Sequence, residues 1–343
     1  MPRLTQLVVL TRRDLLARLA ATSAAASLVA CAPDGQSSPD DTGPFANSDV
    51  VIPPIVPNEE HYITSCCATP EVDGASWQMQ LFDAVAEVPV ALGTLTLAGL
   101  QALPGRQREH TLMCISAGPN NQRISNAIWT GLPLTEVFAT YGVSVPEGTV
   151  AIRFDSADGY STAIPVSDLA LPVWLVWQLN GVDIPAEHGF PVRLLVPNRY
   201  GMKNPKWITS LTFLRETYLG FWETRGWSDS AEYRPNALIR YPRETDTLVE
   251  GPLTLVGTAY AGSDPVVKVE VSIDGTWVEA TIDYQNGPDT WALWHFDWEA
   301  TPGAHTLQAR CTTESGRMSD VLPEPPFDGA GYGGSMEVGV EIA

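Results

Sequence analysis

The sequence predicts an α+β domain followed by an all-β sandwich. Two observations carry this. Between residues 51 and 217, short strand-like stretches alternate with a few helical ones. From about Tyr241 onward, the pattern becomes a series of short alternating segments divided by turn residues. About 290 residues follow the first 50, enough for two domains on size. The 11 Trp and 44% hydrophobic content supply ample cores.

In the first domain, residues 76–81 alternate as a strand. Residues 95–103 read as a short helix stopped by Pro104-Gly105. Residues 134–141 read as another, closed by Gly142 beyond its C-terminus. Residues 150–154 and 191–196 read as buried strands. Residues 218–234 form a connector dense in Trp, Arg and Asp. Beyond it, residues 253–259, 266–273, 277–282, 290–298 and 305–311 read as strands, with a hairpin at Asp274-Gly275. In the last of these, Leu307, Ala309 and Cys311 share one face. Five to seven such strands in about 100 residues fit an immunoglobulin-like sandwich.

The opening residues read as an address. Thr11-Arg12-Arg13-Asp14-Leu15-Leu16 places twin arginines before an apolar run over 15–30. That run is too short and alanine-rich for a convincing membrane span. A twin-arginine signal directs export. Leu28-Val29-Ala30-Cys31 resembles a bacterial lipobox. The expectation is therefore a signal over 1–31, cleavage before Cys31 and lipidation of that cysteine. A Pro/Gly/Ser/Asp-rich tether would follow over 32–50. The protein would be extracytoplasmic, in the periplasm or at the cell surface, touching the membrane only through its lipid. The alternative is an ordinary cleaved signal in which Cys31 is incidental.

Lys and Arg number 20 against 40 Asp and Glu, a net charge of −20. Four of the bases lie in the opening signal, so the remainder is more acidic still. This balance argues against nucleic acid or an anionic lipid surface as partner. It suits attraction of a basic partner such as an electron carrier; plain solubility explains it equally well.

Beyond Cys31 the cysteines are Cys66, Cys67, Cys114 and Cys311. Their spacing matches no zinc site and no Cys-x-x-Cys-His haem attachment. Nor do four cysteines in a chain this long make a disulfide scaffold. Cys66-Cys67 reads by default as two ordinary thiols, with a vicinal disulfide or a redox pair as alternatives. Cys114 ends the apolar stretch Thr111-Leu112-Met113 and enters Ile115-Ser116-Ala117-Gly118-Pro119-Asn120-Asn121. Taken alone, such a cysteine is a buried small hydrophobe. Facing a cleft, its thiolate would suit a soft or high-valent metal.

The motifs around it change that weighting. Asn58-Glu59-Glu60-His61-Tyr62 and Ala75-Ser76-Trp77 precede Cys114. Asn126-Ala127-Ile128-Trp129, Asp158-Gly159-Tyr160-Ser161, Asn180-Gly181, His188-Gly189-Phe190-Pro191-Val192-Arg193 and Tyr200-Gly201-Met202-Lys203-Asn204-Pro205-Lys206-Trp207 follow it. The connector Phe221-Trp222-Glu223-Thr224-Arg225-Gly226-Trp227 comes last. In this order they resemble the molybdopterin-binding domain of the sulfite oxidase family, joined to that family's C-terminal immunoglobulin-like domain. The resemblance covers nearly everything after the tether, with a boundary between residues 217 and 218.

The resemblance implies a molybdenum–molybdopterin cofactor with Cys114 as its sulfur ligand. It implies that His188, Arg193, Lys203 and Lys206 grip the pterin and its phosphate, which suits cationic side chains. It places Asn126 and Trp129 on the pocket wall and Tyr160 near the metal, where a phenol could donate a hydrogen bond or relay a proton. For Tyr160 and Trp129 simple packing is as good a reading, and Lys203 reads equally well as a solvated loop residue. Relatives carry basic residues at positions that here read Ile63-Thr64-Ser65-Cys66-Cys67, and an arginine soon after the ligand cysteine, where this chain has none until Arg123. An oxyanion pocket needs fixed positive charge, so the substrate stays open. The chain has no haem-attachment, iron–sulfur or dinucleotide motif. Electrons would pass to an external carrier such as a c-type cytochrome, and a homodimer through the second domain is open. The rival reading is a surface lipoprotein that kept the fold and lost the cofactor.

Overall fold

The computed structural model describes residues 10–11, 50–85, 88–117, 123–244, 246–319, 331, 334 and 337–343. The signal's arginines, Cys31, the tether and most of the loop after Cys114 lie outside these. Among the described residues, no helix is long and apolar enough to cross a membrane.

The first domain begins with the small pair β1 (Leu10–Thr11) and β2 (Val50–Val51). It continues through β3 (Gln78–Asp83), β4 (Val90–Thr96), helix α1 (Leu97–Gln101), β5 (Arg106–Met113), β6 (Ile124–Pro133) and helix α2 (Leu134–Thr140). Then come β7 (Ala151–Ser156), β8 (Ser161–Pro165), β9 (Trp174–Leu179), β10 (Val182–Asp183), β11 (Arg193–Leu195) and β12 (Ile208–Leu214). Two sheets result, ordered β4-β3-β12-β7-β8 and β10-β9-β6-β5, with β11 paired to β9. One core lies between them, built from Met79, Leu81, Phe154, Phe213, Leu175 and Leu194 among others. Alternation along β3 puts Met79 and Leu81 inward and Gln78 and Gln80 outward.

The helical content is smaller than the α+β expectation: the domain is mostly β, with two short α-helices among the described residues. The stretch read as a helix over 95–103 opens on the last two residues of β4. Thr96 ends β4, and its hydroxyl accepts from Gly99 N at 3.1 Å, so α1 starts only at Leu97. The second helix is as expected, with Gly142 at φ +67° beyond its end.

The second domain holds β13 (Asn236–Tyr241), β14 (Gly251–Tyr260), β15 (Val266–Ile273), β16 (Thr276–Tyr284), β17 (Ala292–Ala300), β18 (Gly303–Thr313) and β19 (Val338–Ile342). Their order is β13-β14-β17-β16-β15-β18-β19. Asp274 at φ +50° and Gly275 at φ +86° make the tight turn between β15 and β16. Leu307, Ala309 and Cys311 face the core, as their alternation implies. β13 and β19 escaped the sequence reading. β13 is buried along nearly its whole length and so lacks a period of two.

The second domain is fused to the back of the first. Thr111 N donates to Asp289 O at 2.8 Å, Trp291 N to Thr111 Oγ1 at 2.9 Å, and Tyr260 Oη to Thr111 O at 3.1 Å. Arg108 is paired with Asp289. One hydrophobic cluster runs from Cys114, Met113 and Tyr62 through Tyr233 to Tyr260 and Trp291. The strand that delivers Cys114 is therefore clamped from behind.

The register of β6 against β9 shifts at Gly131. A Cβ there would stand 2.2 Å from Leu175 O and 2.7 Å from Val176 Cα, both backbone atoms that cannot turn away. Gly131→Ala is expected to lower unfolding stability by about 3 kcal/mol through overpacking. Denaturant titration checks this; a change within 0.5 kcal/mol of zero, as for a typical surface substitution, would show that the strands can part freely.

Candidate functional site

A cavity of about 660 Å³ opens between the segment 59–69, the end of the β5–β6 hairpin, the 158–160 turn and the 187–207 loops. Cys114, Arg123, Tyr160, His188, Arg193 and Lys206 all line it. That volume suits an organic cofactor or a small ligand.

Cys114 sits one step past β5. Its N–H still bonds Arg123 O at 2.9 Å, extending the hairpin ladder by one rung, and its carbonyl accepts from Ala117 N at 2.9 Å in the turn that follows. The thiol is only 8% exposed, yet it borders the cavity and is not sealed among aliphatic side chains. Its Sγ lies 3.2 Å from Ser116 Oγ, and Arg123 donates to that same oxygen at 3.2 Å. Gly201 makes room on the other side: a Cβ there would meet Tyr62 Oη at 2.7 Å and Cys114 Cα at 3.9 Å.

The cationic part of the wall is built on a second close approach. Gly189 follows the 3-10 turn Ala186–His188 at φ +119°. A Cβ on it would stand 3.2 Å from Arg193 Cβ and 3.1 Å from Lys206 Cβ, so its absence lets the two cationic stems converge. Arg193 donates to His188 O at 2.8 Å and Asn204 O at 3.2 Å, and its guanidinium lies over the Trp129 ring at 5.1 Å. Its Nε is buried with no partner. Lys206 donates to Ser65 Oγ at 2.6 Å and Glu187 O at 2.9 Å. Among the described residues, no carboxylate forms an ion pair with either. Burial holds the Arg193 guanidinium down at about 10, and burial with the nearby Arg193 charge holds Lys206 down at about 7. Two cations lining one cavity, neither in an ion pair among the described residues, describe an anion site that the protein leaves to a ligand.

Two histidines complete the wall. His188 Nε2 lies 2.8 Å from Asn58 O, so that nitrogen carries the proton, and burial lowers its pKa to about 4. His61 packs edge-on against it, with ring centroids 5.2 Å apart. His61 Nδ1 faces Tyr62 O at 3.3 Å, which leaves Nε2 as a buried acceptor without a partner. Burial and the cations around it push its pKa well down, so both rings are neutral.

Two of the expected site residues are placed elsewhere. Lys203 is 1% exposed and turned away from the cavity. Its ammonium donates to Glu223 at 2.5 Å, Asp229 at 3.0 Å and Ala163 O at 2.9 Å. It ties the first domain to the connector and has no donor left for a cofactor. Asn126 is fully buried. Its amide donates to Pro54 O at 2.9 Å and Glu109 at 2.5 Å, and its carbonyl accepts from Thr111 at 2.9 Å. It pins the opening segment and lies behind the wall. Trp129, 0% exposed, packs under Arg193. Tyr160 does reach the cavity, but its hydroxyl donates to Met202 O at 2.6 Å. Burial and then Glu223 push its pKa well up, so it is a neutral phenol.

The sequence reading passed over three residues. His61 lay inside a motif used only to mark the domain's start. Arg123 was discounted because it stands nine positions past Cys114; the hairpin folds it back beside the thiol. Ser65 was noted only as the lack of a basic residue, yet it is the partner that holds Lys206.

The fold and this site define a molybdopterin-binding oxidoreductase domain backed by an immunoglobulin-like one. Residues 66–222 match the family described as "Oxidoreductase molybdopterin binding domain", and residues 235–309 match "Bacterial Ig domain". Human mitochondrial sulfite oxidase is 28% identical over 221 residues, covering 55% of this chain and 41% of that protein. Nitrate reductase [NADH] of Cichorium intybus is 25% identical over 308 residues, covering 71% and 33%. The chain thus spans less than half the length of either relative. The crystal structure of the sulfane dehydrogenase SoxCD from Paracoccus pantotrophus has the same fold, with a TM-score of 0.71, 20% identity and 85% coverage of each chain. Residues 66–222 thus form a molybdopterin-binding oxidoreductase domain of the sulfite oxidase type.

The residues present fit that family's cofactor. The unpartnered Arg193 Nε, Lys206 with no ion pair among the described residues, and the buried His61 Nε2 offer an anion grip and a polar acceptor. Cys114 offers the soft ligand on the same cavity. The lowered Lys206 pKa has a testable sign. Between about pH 7 and its ordinary value of 10.5, the unfolded chain binds a proton that the folded cofactor-free chain refuses. Stability from this group therefore rises with pH across that window. Melting of the cofactor-free chain and of Lys206→Met from pH 7 to 9 should show the native chain gaining on the variant as pH rises. Parallel curves would place the ammonium in free solvent.

Proposed function

We propose that the chain is an exported, lipid-anchored molybdenum-cofactor oxidoreductase acting on a small sulfur-containing substrate. The observation that carries this reading is the shared cavity: the Cys114 thiol and the cations Arg193 and Lys206, which form no ion pair among the described residues, border the same space. When bound, the cofactor supplies two-electron chemistry coupled to exchange of an oxygen atom between water and substrate.

The chain's own residues divide the remaining work. Arg193 and Lys206 hold the phosphate end of the pterin, with the directed fork of Arg193 fixing orientation. His188, held by Asn58 O, and His61 would add neutral rings to the wall that holds the cofactor. Cys114 serves as the sulfur ligand. Arg123, tied through Ser116 to that thiol, supplies fixed positive charge where a substrate oxyanion would sit. Tyr160 acts as a neutral phenol that fixes the Met202 carbonyl and the loop around it. Trp222 and Trp227 close the wall with aromatic surface.

Electrons would leave singly to a separate carrier. The acidic balance of 40 Asp and Glu against 20 Lys and Arg suits a basic c-type cytochrome through electrostatic steering. Export by the twin-arginine route and anchoring at Cys31 rest on the opening motifs alone.

Cys114→Ser tests the reading. Protein exported from a molybdenum-competent host would be measured for metal content and for turnover with dye carriers over a panel of sulfur compounds. The native chain is expected to hold about one molybdenum per chain and to turn over at least one compound. Cys114→Ser should keep the native melting profile and lose at least 100-fold in turnover, about 2.7 kcal/mol in barrier terms. Full turnover with serine would remove the thiol from the chemistry, and a metal-free native chain would favour a scaffold that lost its cofactor.

A further inference from the structure

A second cluster of donor atoms lines the same cavity. Cys66 Sγ lies 2.9 Å from Cys67 Sγ and 3.8 Å from Asp158 Oδ2. Both thiols are free. The three donor atoms all lie within 4.8 Å of one another. We propose that Cys66, Cys67 and Asp158 form a binding site for a thiophilic d¹⁰ cation such as zinc, separate from the family's cofactor and independent of the reaction proposed above.

Each donor is suited to the task. Two thiolates select soft cations over magnesium or calcium. Asp158 is positioned before any ion arrives: its Oδ1 accepts from Tyr160 N at 3.0 Å, which turns Oδ2 toward Cys66. Its turn is closed by Gly159 N donating to Ser156 O at 3.0 Å, with Gly159 at φ +84°. Cys67 is exposed, so an ion reaches the pair directly from solvent.

The geometry is close to what coordination needs. On a tetrahedral zinc, with Zn–S about 2.3 Å and Zn–O about 2.1 Å, donors stand about 3.7 Å apart for S···S and about 3.6 Å for S···O. The Cys66–Asp158 separation of 3.8 Å already fits. The two sulfurs must part by about 0.8 Å from 2.9 Å. The exposed Cys67 can supply that by a side-chain rotation. A fourth position is left toward solvent.

The charges balance as well. The ion takes both sulfurs as thiolates, with the Asp158 carboxylate as third ligand. The dication offsets the two thiolates.

The test uses the full chain as isolated and cadmium alone as probe. Sulfur-to-metal charge-transfer absorption and competition with a chromophoric chelator are read together. The native chain is expected to take up one cadmium per chain. Cys66→Ser and Cys67→Ser should each weaken binding at least tenfold, and Asp158→Asn should weaken it by less. Cys114→Ser should leave it unchanged, which separates this site from the cofactor's ligand. Because Cys67 is exposed, its serine variant is expected to melt as the native chain does. Unchanged affinity in Cys67→Ser, loss of binding in Cys114→Ser, or a native chain two hydrogens lighter through a Cys66–Cys67 disulfide would each overturn the proposal.

Discussion

Arg193 and Lys206 are cations held in a cavity wall, and no carboxylate among the described residues is paired with either. Burying an unpaired charge costs several kcal/mol even after relaxation. A protein keeps such groups where a ligand completes them. The rest of the site follows from how that unfavourable arrangement is enforced. Gly189 brings the two stems together, carbonyls of His188, Asn204 and Glu187 hold the heads, and the Trp129 ring lies beneath the guanidinium. The contrast with Lys203 is instructive. Three residues before Lys206, it faces Glu223 and Asp229 and is a satisfied structural tie.

Rigidity is supplied from two sides. Asn180, at φ +50°, donates to Val56 O at 2.9 Å and Asn58 Oδ1 at 2.8 Å, fixing the segment whose carbonyl orients His188. Asn126 fixes the same segment at Pro54. From behind, Thr111 is bonded on every side to the second domain, and Tyr233 Oη accepts from Met113 N at 3.3 Å. The immunoglobulin-like domain thereby sets where β5 ends and where Cys114 emerges. Domain and site are mechanically one unit.

Much of this was legible in the sequence. Turn chemistry gave the second domain: Asp274-Gly275 and the alternation through Leu307, Ala309 and Cys311 became a hairpin and a core face. The ordered motifs gave Cys114, His188, Arg193 and Lys206, which share one cavity. What the sequence withheld was tertiary. Lys203 and Lys206 are alike in composition and differ only in whether Glu223, twenty residues past Lys203, folds against them. Asn126 sits in a motif that borders the pocket, yet its amide turns to the opening segment. Arg123 looked too far from Cys114 until the hairpin returned it. The α+β label is only loosely met, in part for a local reason: Thr96 caps a helix of five residues where the stretch 95–103 had read as helical throughout.

The central claim is that Arg193 and Lys206, neither in an ion pair among the described residues, hold the cofactor's anionic end. Its most direct measurement is the pterin released on denaturing Arg193→Met, compared with the native chain at equal folded concentration. At least a tenfold loss of pterin is expected, while the cofactor-free variant melts no lower than the cofactor-free native chain, because a buried unpaired charge has been removed. Native pterin content in the variant would contradict the account.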